Sequence, residues 1–234
     1  MKLTAKARLL RKALGAVENM GADPEELYTM EVNGRKIVVS NEVFSPRYFT
    51  DTAFFAKHVP RFVRGRTFYE VGIGCGLIAL EACLNGAKLV AGSDINPMAI
   101  LNTRMNAERY GVRIRAHEGD LFARIKRGHR YESIFWNHPF HAENTEPRTM
   151  LERAILDPGY RSLERYFKEA KPYLVPGSGV LLLGTSNISR VKLIYGFADQ
   201  YGYDRKLLVR EEVPFEHRSN QHIELRLYEF RPCA

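Results

Sequence analysis

The sequence lacks long hydrophobic runs and paired cysteines. Among its 234 residues, no apolar run approaches the roughly 18 residues that span a bilayer. No short apolar signal-peptide core follows the basic start, because charged residues interrupt residues 1–20 throughout. The three cysteines, Cys75, Cys83 and Cys233, show neither disulfide nor metal-ligand spacing. We therefore expect a cytoplasmic protein with reduced thiols, no membrane association and no metal, although the basic start also resembles an organelle transit peptide.

Acidic residues are fewer than basic ones, and there are no internal repeats or low-complexity tracts. The chain holds 27 Asp and Glu against 35 Lys and Arg, for a formal net charge of +8. The excess is concentrated in residues 1–20 and 104–130. A basic balance favours an anionic partner, either a small or medium-sized molecule or a nucleic acid, but it is also typical of a solvated basic face. It gives no indication of the oligomeric state.

The first 45 residues predict a helix and a hairpin. Apolar residues recur at spacings of three and four and predict an amphipathic helix ending near Gly21: Leu3, Ala7, Leu10, Leu14 and Val17. "DPEE" at 23–26 is typical of a second helix start, with Asp23 as the N-cap. Asn33-Gly34 lies between two strand-like runs and predicts a two-residue type I′ hairpin. Further on, Asp51 is expected to cap a helix through "TAFFAKHV".

From residue 67 onward, strands alternate with helices. Short, continuous apolar runs predict strands at 67–73, 88–94, 113–119, 131–137 and 179–185. Helices are predicted to begin near Gly76, Pro97, Glu143 and Tyr160. This alternation favours an α/β fold, a mostly parallel sheet with helices on both faces. The last two strands, "YDRKLLVREEV" and "QHIELRLYEF", are too close for a crossover helix and should pair antiparallel.

The segment "TFYEVGIGCGLIAL" (67–80) predicts a strand, a glycine-rich turn and a helix. Gly72, Gly74 and Gly76 allow a tight turn and close approach of a ligand to the backbone. The helix start then offers free N–H groups to an anionic ligand. The dinucleotide fingerprint requires a third glycine where Leu77 stands, so the turn fits NAD poorly. Cys75 is interpreted as a small turn residue rather than a nucleophile.

This turn resembles the first motif of the Rossmann-like, class I S-adenosylmethionine methyltransferases, and the resemblance continues downstream. "SDINPMAILNTRMNAERYG" (93–111) places Asp94 at the end of the second strand, and "EGDLF" places Asp120 at the end of the third. The resemblance implies a seven-stranded sheet and S-adenosylmethionine as cofactor, with Asp94 on the ribose hydroxyls and Asp120 on the adenine amine. Leu121 or Phe122 would pack on the adenine ring. The implied cofactor-binding residues are Glu70, Gly72, Gly74, Gly76, Asp94, Ile95, Asn96, Asp120, Leu121 and Asn137.

The fourth strand ends in "FWNHPFHA" (135–142), which resembles the Asn-Pro-Pro-Tyr/Phe motif of amino- and amide-nitrogen methyltransferases. That group includes the small-domain, release-factor glutamine and adenine-N6 enzymes. The resemblance implies a catalytic set of Asn137, His138, Pro139 and Phe140. The Asn137 side chain and the carbonyl of residue 138 would hold the N–H groups of the acceptor while Phe140 stacks on it. His138 replaces a proline and is interpreted as a proton acceptor, a substrate contact or a tolerated substitution.

The sequence therefore predicts one methyltransferase domain at 46–234 and an appendage at 1–45 that acts as a substrate lid. We expect methyl transfer to a planar amine or amide nitrogen of a small or medium-sized substrate. RNA or DNA base methylation is one alternative, supported by the basic charge, and protein glutamine methylation is another. A non-catalytic partner subunit is a remote alternative, which the intact acids and Asn137 disfavour.

Overall fold

The computed structural model describes residues 4–217 and 220–233, so Leu3 of the predicted first helix lies outside it. The helices are α1 (Ala5–Gly21), α2 (Asp51–His58), α3 (Pro60–Val63), α4 (Leu77–Leu84), α5 (Pro97–Arg109), α6 (Met150–Arg153), α7 (Arg161–Glu169) and α8 (Val191–Gln200). The strands are β1 (Leu27–Val32), β2 (Arg35–Ser40), β3 (Thr67–Val71), β4 (Leu89–Asp94), β5 (Ile114–Glu118), β6 (Ser133–Asn137), β7 (Val180–Ser186), β8 (Tyr203–Pro214) and β9 (His222–Pro232).

Seven strands form one sheet in the order β5-β4-β3-β6-β7-β9-β8. The pairs from β5 to β7 are parallel, whereas β9 pairs antiparallel with both β7 and β8. The predicted fold class is therefore confirmed. Helix-length connections between the parallel strands allow the crossovers, and the short link from β8 to β9 permits only antiparallel pairing.

Helices bury apolar side chains against both faces of the sheet. Along β7, Leu182 belongs to the core that contains Phe55 of α2, and its neighbours Leu181 and Leu183 belong to the core that contains Phe167 of α7. This alternation follows from the two-residue side-chain period of a strand. Every residue of β7 is buried, as expected for a central strand covered on both faces.

The N-terminal hairpin forms as predicted and is fixed to the main domain. Asn33 and Gly34 have φ values of 52° and 79°, as a type I′ turn requires. The amide oxygens of Asn102 and Asn106 on α5 accept from the backbone N–H groups of Ser40 and Val38, at 3.0 and 2.8 Å. These bonds satisfy the edge of β2, which fixes the hairpin to α5 rather than leaving it mobile.

The predicted helix start at 23–26 is wrong. Asp23 Oδ1 accepts from the backbone N–H of Glu25 at 3.1 Å and Oδ2 pairs with Arg47 at 2.7 Å, after which the chain enters β1. The Asx turn and the ion pair use the same acceptors that a helix cap would need. Pairing with β2 then makes the following residues a strand.

The helix predicted near Glu143 is also wrong, because helical structure there begins only at Met150. The backbone N–H of His141 donates to the carbonyl of Ile155 at 3.1 Å. His141 thus pairs with Leu156 in an isolated β-bridge, and the chain leaves this bridge as irregular backbone rather than as a helix. Thr149 is the actual cap, accepting from the N–H of Glu152 at 3.1 Å.

Helix α8 was not predicted. No helix within the described ranges is long and apolar enough to cross a bilayer.

Candidate active site

A cavity of about 580 Å³ opens at the carboxyl ends of β3, β4 and β6. Ligands of open α/β sheets bind at this edge, where loops follow the strand ends. Its lining includes all the predicted site residues except Gly76, and of the two residues expected at the adenine ring it includes Leu121 and not Phe122. Ala13 of α1 lines the cavity together with Val43, Phe44, Phe49, Asp51 and Thr52, whereas no residue of β1 or β2 does.

The glycine turn lies along one wall of the cavity. Gly74 has a φ of 56°, and no protein atom lies within 4 Å of where its Cβ would be. This position therefore needs glycine for its conformation and faces open space. Gly76 has a φ of 81° and needs glycine for packing as well, because a Cβ there would lie 2.8 Å from Thr103 Oγ1. It is the N-cap of α4 and offers no side-chain acceptor to the helix N–H groups.

Two acids lie at the carboxyl ends of β3 and β4 at this wall: Glu70 and Asp94. Asp94 accepts from the backbone N–H of Gly74 through Oδ2 and from that of Asn96 through Oδ1, both at 2.9 Å. Its carboxylate thus fixes the glycine turn to the start of α5. Glu70 is buried, and its Oε2 has no partner among the described residues. Burial raises the pKa of Glu70 well above its usual value.

The third acid is held less tightly. Asp120 is half exposed and pairs with Arg165 of α7, whose Nη1 lies 2.6 Å from Oδ2. The neighbouring Leu121 is buried with a φ of 45° and lines the cavity. Ile95 also lines the cavity, and Asn96 caps α5 by accepting from the N–H of Met98 at 3.0 Å.

Asn137 ends β6 beside the cavity and contacts Asp51, which the sequence predicted to cap a helix. Its Nδ2 donates to Asp51 Oδ2 at 2.7 Å, which leaves Oδ1 as the free atom of the amide. Asn137 Oδ1 is buried without a partner among the described residues. The predicted cap role of Asp51 is therefore wrong: Thr50 occupies the N-cap of α2, and Asp51 reaches across to Asn137.

His138 is buried within an aromatic cluster. Its Nε2 lies 2.9 Å from Thr185 Oγ1, and its ring packs edge-on against Phe140 and Tyr160. Burial lowers the pKa of the His138 imidazole to about 3. A group with so low a pKa is a poor proton acceptor near neutral pH, which favours the interpretation as a tolerated substitution.

Pro139 and Phe140 both line the cavity. The hydroxyl of Tyr160 donates to the carbonyl of Phe140 at 2.6 Å, so the loop after the motif is fixed to the start of α7. Asp51 and Arg165 were missed as site residues. Both lie in helical patterns, where such a charge is usually explained by a helix terminus or a surface position.

Thiol and metal chemistry find no support in this cavity. Burial raises the pKa of Cys75 to about 11, so its thiol stays protonated and a weak nucleophile. Within residues 4–217 and 220–233, no group of three His, Cys, Asp or Glu side chains is arranged to hold a metal ion.

The comparisons with known proteins agree with this geometry. The methyltransferase small domain model matches residues 34–186. The chain belongs to this methyltransferase family. It is 29% identical over 191 residues to a Methanocaldococcus jannaschii protein provisionally named a protein N5-glutamine methyltransferase, covering 80% of this chain and 94% of that one. It is 30% identical to the release factor glutamine methyltransferase of Geobacter sulfurreducens, over 76% of this chain and 64% of that protein.

A solved structure shares the fold and carries the cofactor. The 16S rRNA N2 G1207 methyltransferase of T. thermophilus, in complex with S-adenosylmethionine and guanosine, superposes with a TM-score of 0.63 at 16% identity. The superposition covers 89% of this chain and 50% of that one. The protein is an S-adenosylmethionine-dependent methyltransferase. Its cavity fits the cofactor, because the glycine turn faces open space and Glu70 presents an unpartnered oxygen suited to a cationic group.

Proposed function

We propose that this methyltransferase acts on a planar nitrogen, and that the acceptor is the amide of a glutamine side chain in a protein substrate. The observation that carries the proposal is the fixed orientation of Asn137. Its Nδ2 is engaged by Asp51 at 2.7 Å, so only its oxygen is free to accept from an N–H group. An acceptor with two N–H groups fits this oxygen together with the neighbouring backbone carbonyl, because an amide nitrogen supplies two donors where a hydroxyl supplies one and a carbon supplies none.

The glycine turn, Glu70, Asp94 and Asp120 are the residues that would hold the cofactor. When bound, S-adenosylmethionine supplies an electrophilic methyl group on a cationic sulfur. Gly74 allows close approach to the backbone, and the carboxylates of Asp94 and Asp120 retain acceptor capacity for hydroxyl and amine groups. Ile95 and Leu121 would flank the adenine, since both line this end of the cavity.

At the other end, Asn137 Oδ1 and the carbonyl of His138 would accept the two N–H groups of the acceptor. An amide nitrogen has its lone pair conjugated away, so holding both N–H groups turns the lone pair towards the methyl group and stabilises developing positive charge. Phe140 would stack on the planar group. The proton can leave after transfer, so no strong base is needed, in keeping with the low pKa of His138.

Cavity size and relatives favour a side chain as acceptor. Cavities for drug-sized ligands span about 300–1,000 Å³, so 580 Å³ holds a cofactor and little more than one planar group. The relatives that align over most of this chain are named for glutamine methylation. This favours a protein over the free small molecule expected from the sequence. We propose that the segment 43–52, of which Val43, Phe44 and Phe49 line the cavity, guides the acceptor together with Ala13 of α1.

Methylation of a nucleobase is the second candidate. Its support is the basic stretch 104–130, whose exposed cations surround the edge strand β5 and the loop after it, and the base-methylating structural neighbour. The free state of Cys75, Cys83 and Cys233 supports a reducing, cytoplasmic setting for either function.

The two functions are separated by the fate of a labelled methyl group. We expect label transferred from methyl-labelled S-adenosylmethionine in a cell extract to be sensitive to protease and resistant to ribonuclease. Strong acid should release it as methylamine, because hydrolysis of an N-methyl amide cleaves the carbonyl–nitrogen bond. Label that is sensitive to ribonuclease and stays on a base after acid would contradict the protein glutamine proposal. The Asn137→Ala variant gives the background.

A further inference from the structure

We propose that Asp51 is a positioning residue that locks the Asn137 amide with its oxygen towards the acceptor nitrogen. The inference rests on the proposed function, because it assigns Asp51 a role in orienting that acceptor. Asp51 lies 86 positions before Asn137 in the chain, and the two meet only because α2 packs across the end of β6.

The contact distinguishes the two ends of the amide. Asp51 Oδ2 accepts from Asn137 Nδ2 at 2.7 Å, a length typical of a charge-assisted hydrogen bond. If the amide turned over, its oxygen would face the carboxylate, and two acceptors would meet with no proton between them. The carboxylate therefore favours one of two orientations that are otherwise nearly equal in shape. In the favoured one, Asn137 presents an acceptor to the cavity.

An acid in the first turn of a helix is usually explained by the helix dipole, but that explanation is insufficient here. Asp51 is 7% exposed, and burial raises the pKa of its carboxyl. Its Oδ1 has no partner among the described residues, although the side chain lines the cavity. A surface acid would interact with the dipole without this desolvation cost. The burial of Asp51 is accounted for by its contact with Asn137.

The frame that holds Asp51 is rigid. Gly184 of β7 is the direct sheet partner of Asn137, and a Cβ at Gly184 would lie 2.5 Å from the ring of Phe55. The absence of a side chain there allows Phe55, one turn after Asp51, to rest on the strand. The same ring packs against Phe135 of β6 with 5.6 Å between centroids. Helix α2 is thus seated on the two strands beside Asn137, which sets the position of its first residue.

Three variants test the role through turnover. Asp51→Ala removes the acceptor and should lower kcat by about tenfold or more, with the cofactor Kd unchanged. Asp51→Asn keeps an oxygen that can accept from Asn137 Nδ2, but its own amide can turn over, so it should retain clearly more turnover than Asp51→Ala and less than wild type. Glu211→Gln is the matched control, because Glu211 contacts His58 at the other end of α2, at 3.1 Å, and should leave kcat unchanged. The acceptor is the protein fraction that the wild type labels.

A folded, cofactor-binding Asp51→Asn variant as inactive as Asp51→Ala would overturn positioning, because charge and not orientation would then be required. Normal kcat in Asp51→Ala would overturn it as well. A loss of cofactor affinity equal to the loss of turnover would also overturn it, because Asp51 would then act on cofactor binding and not on the acceptor.

A spectroscopic measurement tests the contact without any substrate. With ¹⁵N-asparagine labelling, the Asn137 side-chain signals are those absent from Asn137→Ala. In wild type we expect one Asn137 amide proton to be shifted downfield and protected from exchange, and in Asp51→Ala to resemble a solvent-exposed asparagine. Signals that are identical in the two proteins would overturn the inference. If wild type transfers no label to protein while the shifted proton is present, the proposed function fails and the contact stands.

Discussion

The two halves of the cavity differ in how their polar groups are satisfied. In the half with the glycine turn, Asp94 is hydrogen-bonded through both oxygens to backbone N–H groups and Asp120 is paired with Arg165, whereas Glu70 Oε2 is buried without a partner among the described residues. In the half with the Asn-His-Pro-Phe motif, Asn137 Oδ1 and Asp51 Oδ1 are buried without partners among the described residues.

This difference indicates a division of work. The first half is shaped by its own backbone, and its remaining acceptor capacity suits hydroxyl and amine groups that reach it from the cavity. The second half holds buried acceptors at a cost, since an unsatisfied buried oxygen is destabilising by about 1–3 kcal/mol. Such a cost is typical of functional sites rather than of structural ones. Substitutions in the first half should therefore act on cofactor binding, and those in the second on turnover.

The largest effect is expected at Gly74. Gly74→Val places a β-branched residue at a φ of 56°, a strain of about 1–2 kcal/mol, and projects its methyls into the cavity. We expect this variant to lose the rise in melting temperature that S-adenosylmethionine gives the wild type through linkage, and to lose all activity. Cys75→Ser, the matched neighbour, should retain both. A Gly74→Val protein that S-adenosylmethionine stabilises as much as wild type would contradict the assignment of the glycine turn to cofactor binding.

A medium effect is expected at His138, and it concerns stability more than catalysis. The pKa of this imidazole is about 3 when folded and near 6.5 when unfolded, so its contribution to stability is present above pH 6.5 and is lost as pH falls towards 3. Between pH 7 and pH 5 this residue should remove about 2 kcal/mol of unfolding free energy. His138→Ala should lack this part of the acid sensitivity in urea unfolding, whereas the exposed His129→Ala should keep it.

The same variants address the open role of His138. His138→Ala and His138→Pro should retain substantial turnover, because both leave the backbone carbonyl of residue 138 in place. If both were folded and bound cofactor but were as inactive as Asn137→Ala, the imidazole would be the catalytic group.

The smallest effect is expected at Arg165. Its ion pair with Asp120 joins two side chains that are each about half exposed, and such pairs contribute about 0.2–1 kcal/mol. Calorimetry should show Arg165→Ala to weaken cofactor binding by less than about fivefold, with kcat unchanged. Arg231→Ala, which removes an ion pair with Glu229 outside the cavity, should change neither. A change in kcat without a change in Kd at Arg165 would mean that the two halves are coupled.

The sequence predicted the sheet and most of the site because both depend on local patterns. The strands follow from short apolar runs, and Gly74, Asp94 and Asn137 stand at or just after strand ends, which a parallel sheet brings to one edge. The failed predictions concern short polar signals. At Asp23, an acceptor that could cap a helix instead closes an Asx turn and pairs with Arg47, and only the folded chain shows which competitor wins.

Asp51 shows the same limit within the site. Its position before "TAFFAKHV" is typical of a helix start, and the helix does begin there. Asp51 contacts Asn137 because Phe55, one turn later in α2, packs on Gly184 of β7. Asn137, Phe55 and Gly184 are distant from one another in the chain. Long-range contacts of this kind leave no spacing in the sequence from which they could be predicted.

The most direct test of the division between the two halves is calorimetric titration of S-adenosylmethionine into Asn137→Ala, combined with turnover of the same preparation. Removing one preorganised contact to the reacting centre should lower turnover by about a hundredfold or more. The cofactor Kd should stay close to that of wild type, because the glycine turn, Asp94 and Asp120 are untouched. A Kd that weakens in proportion to the lost turnover would contradict the account, since Asn137 would then belong to the cofactor site and not to the acceptor.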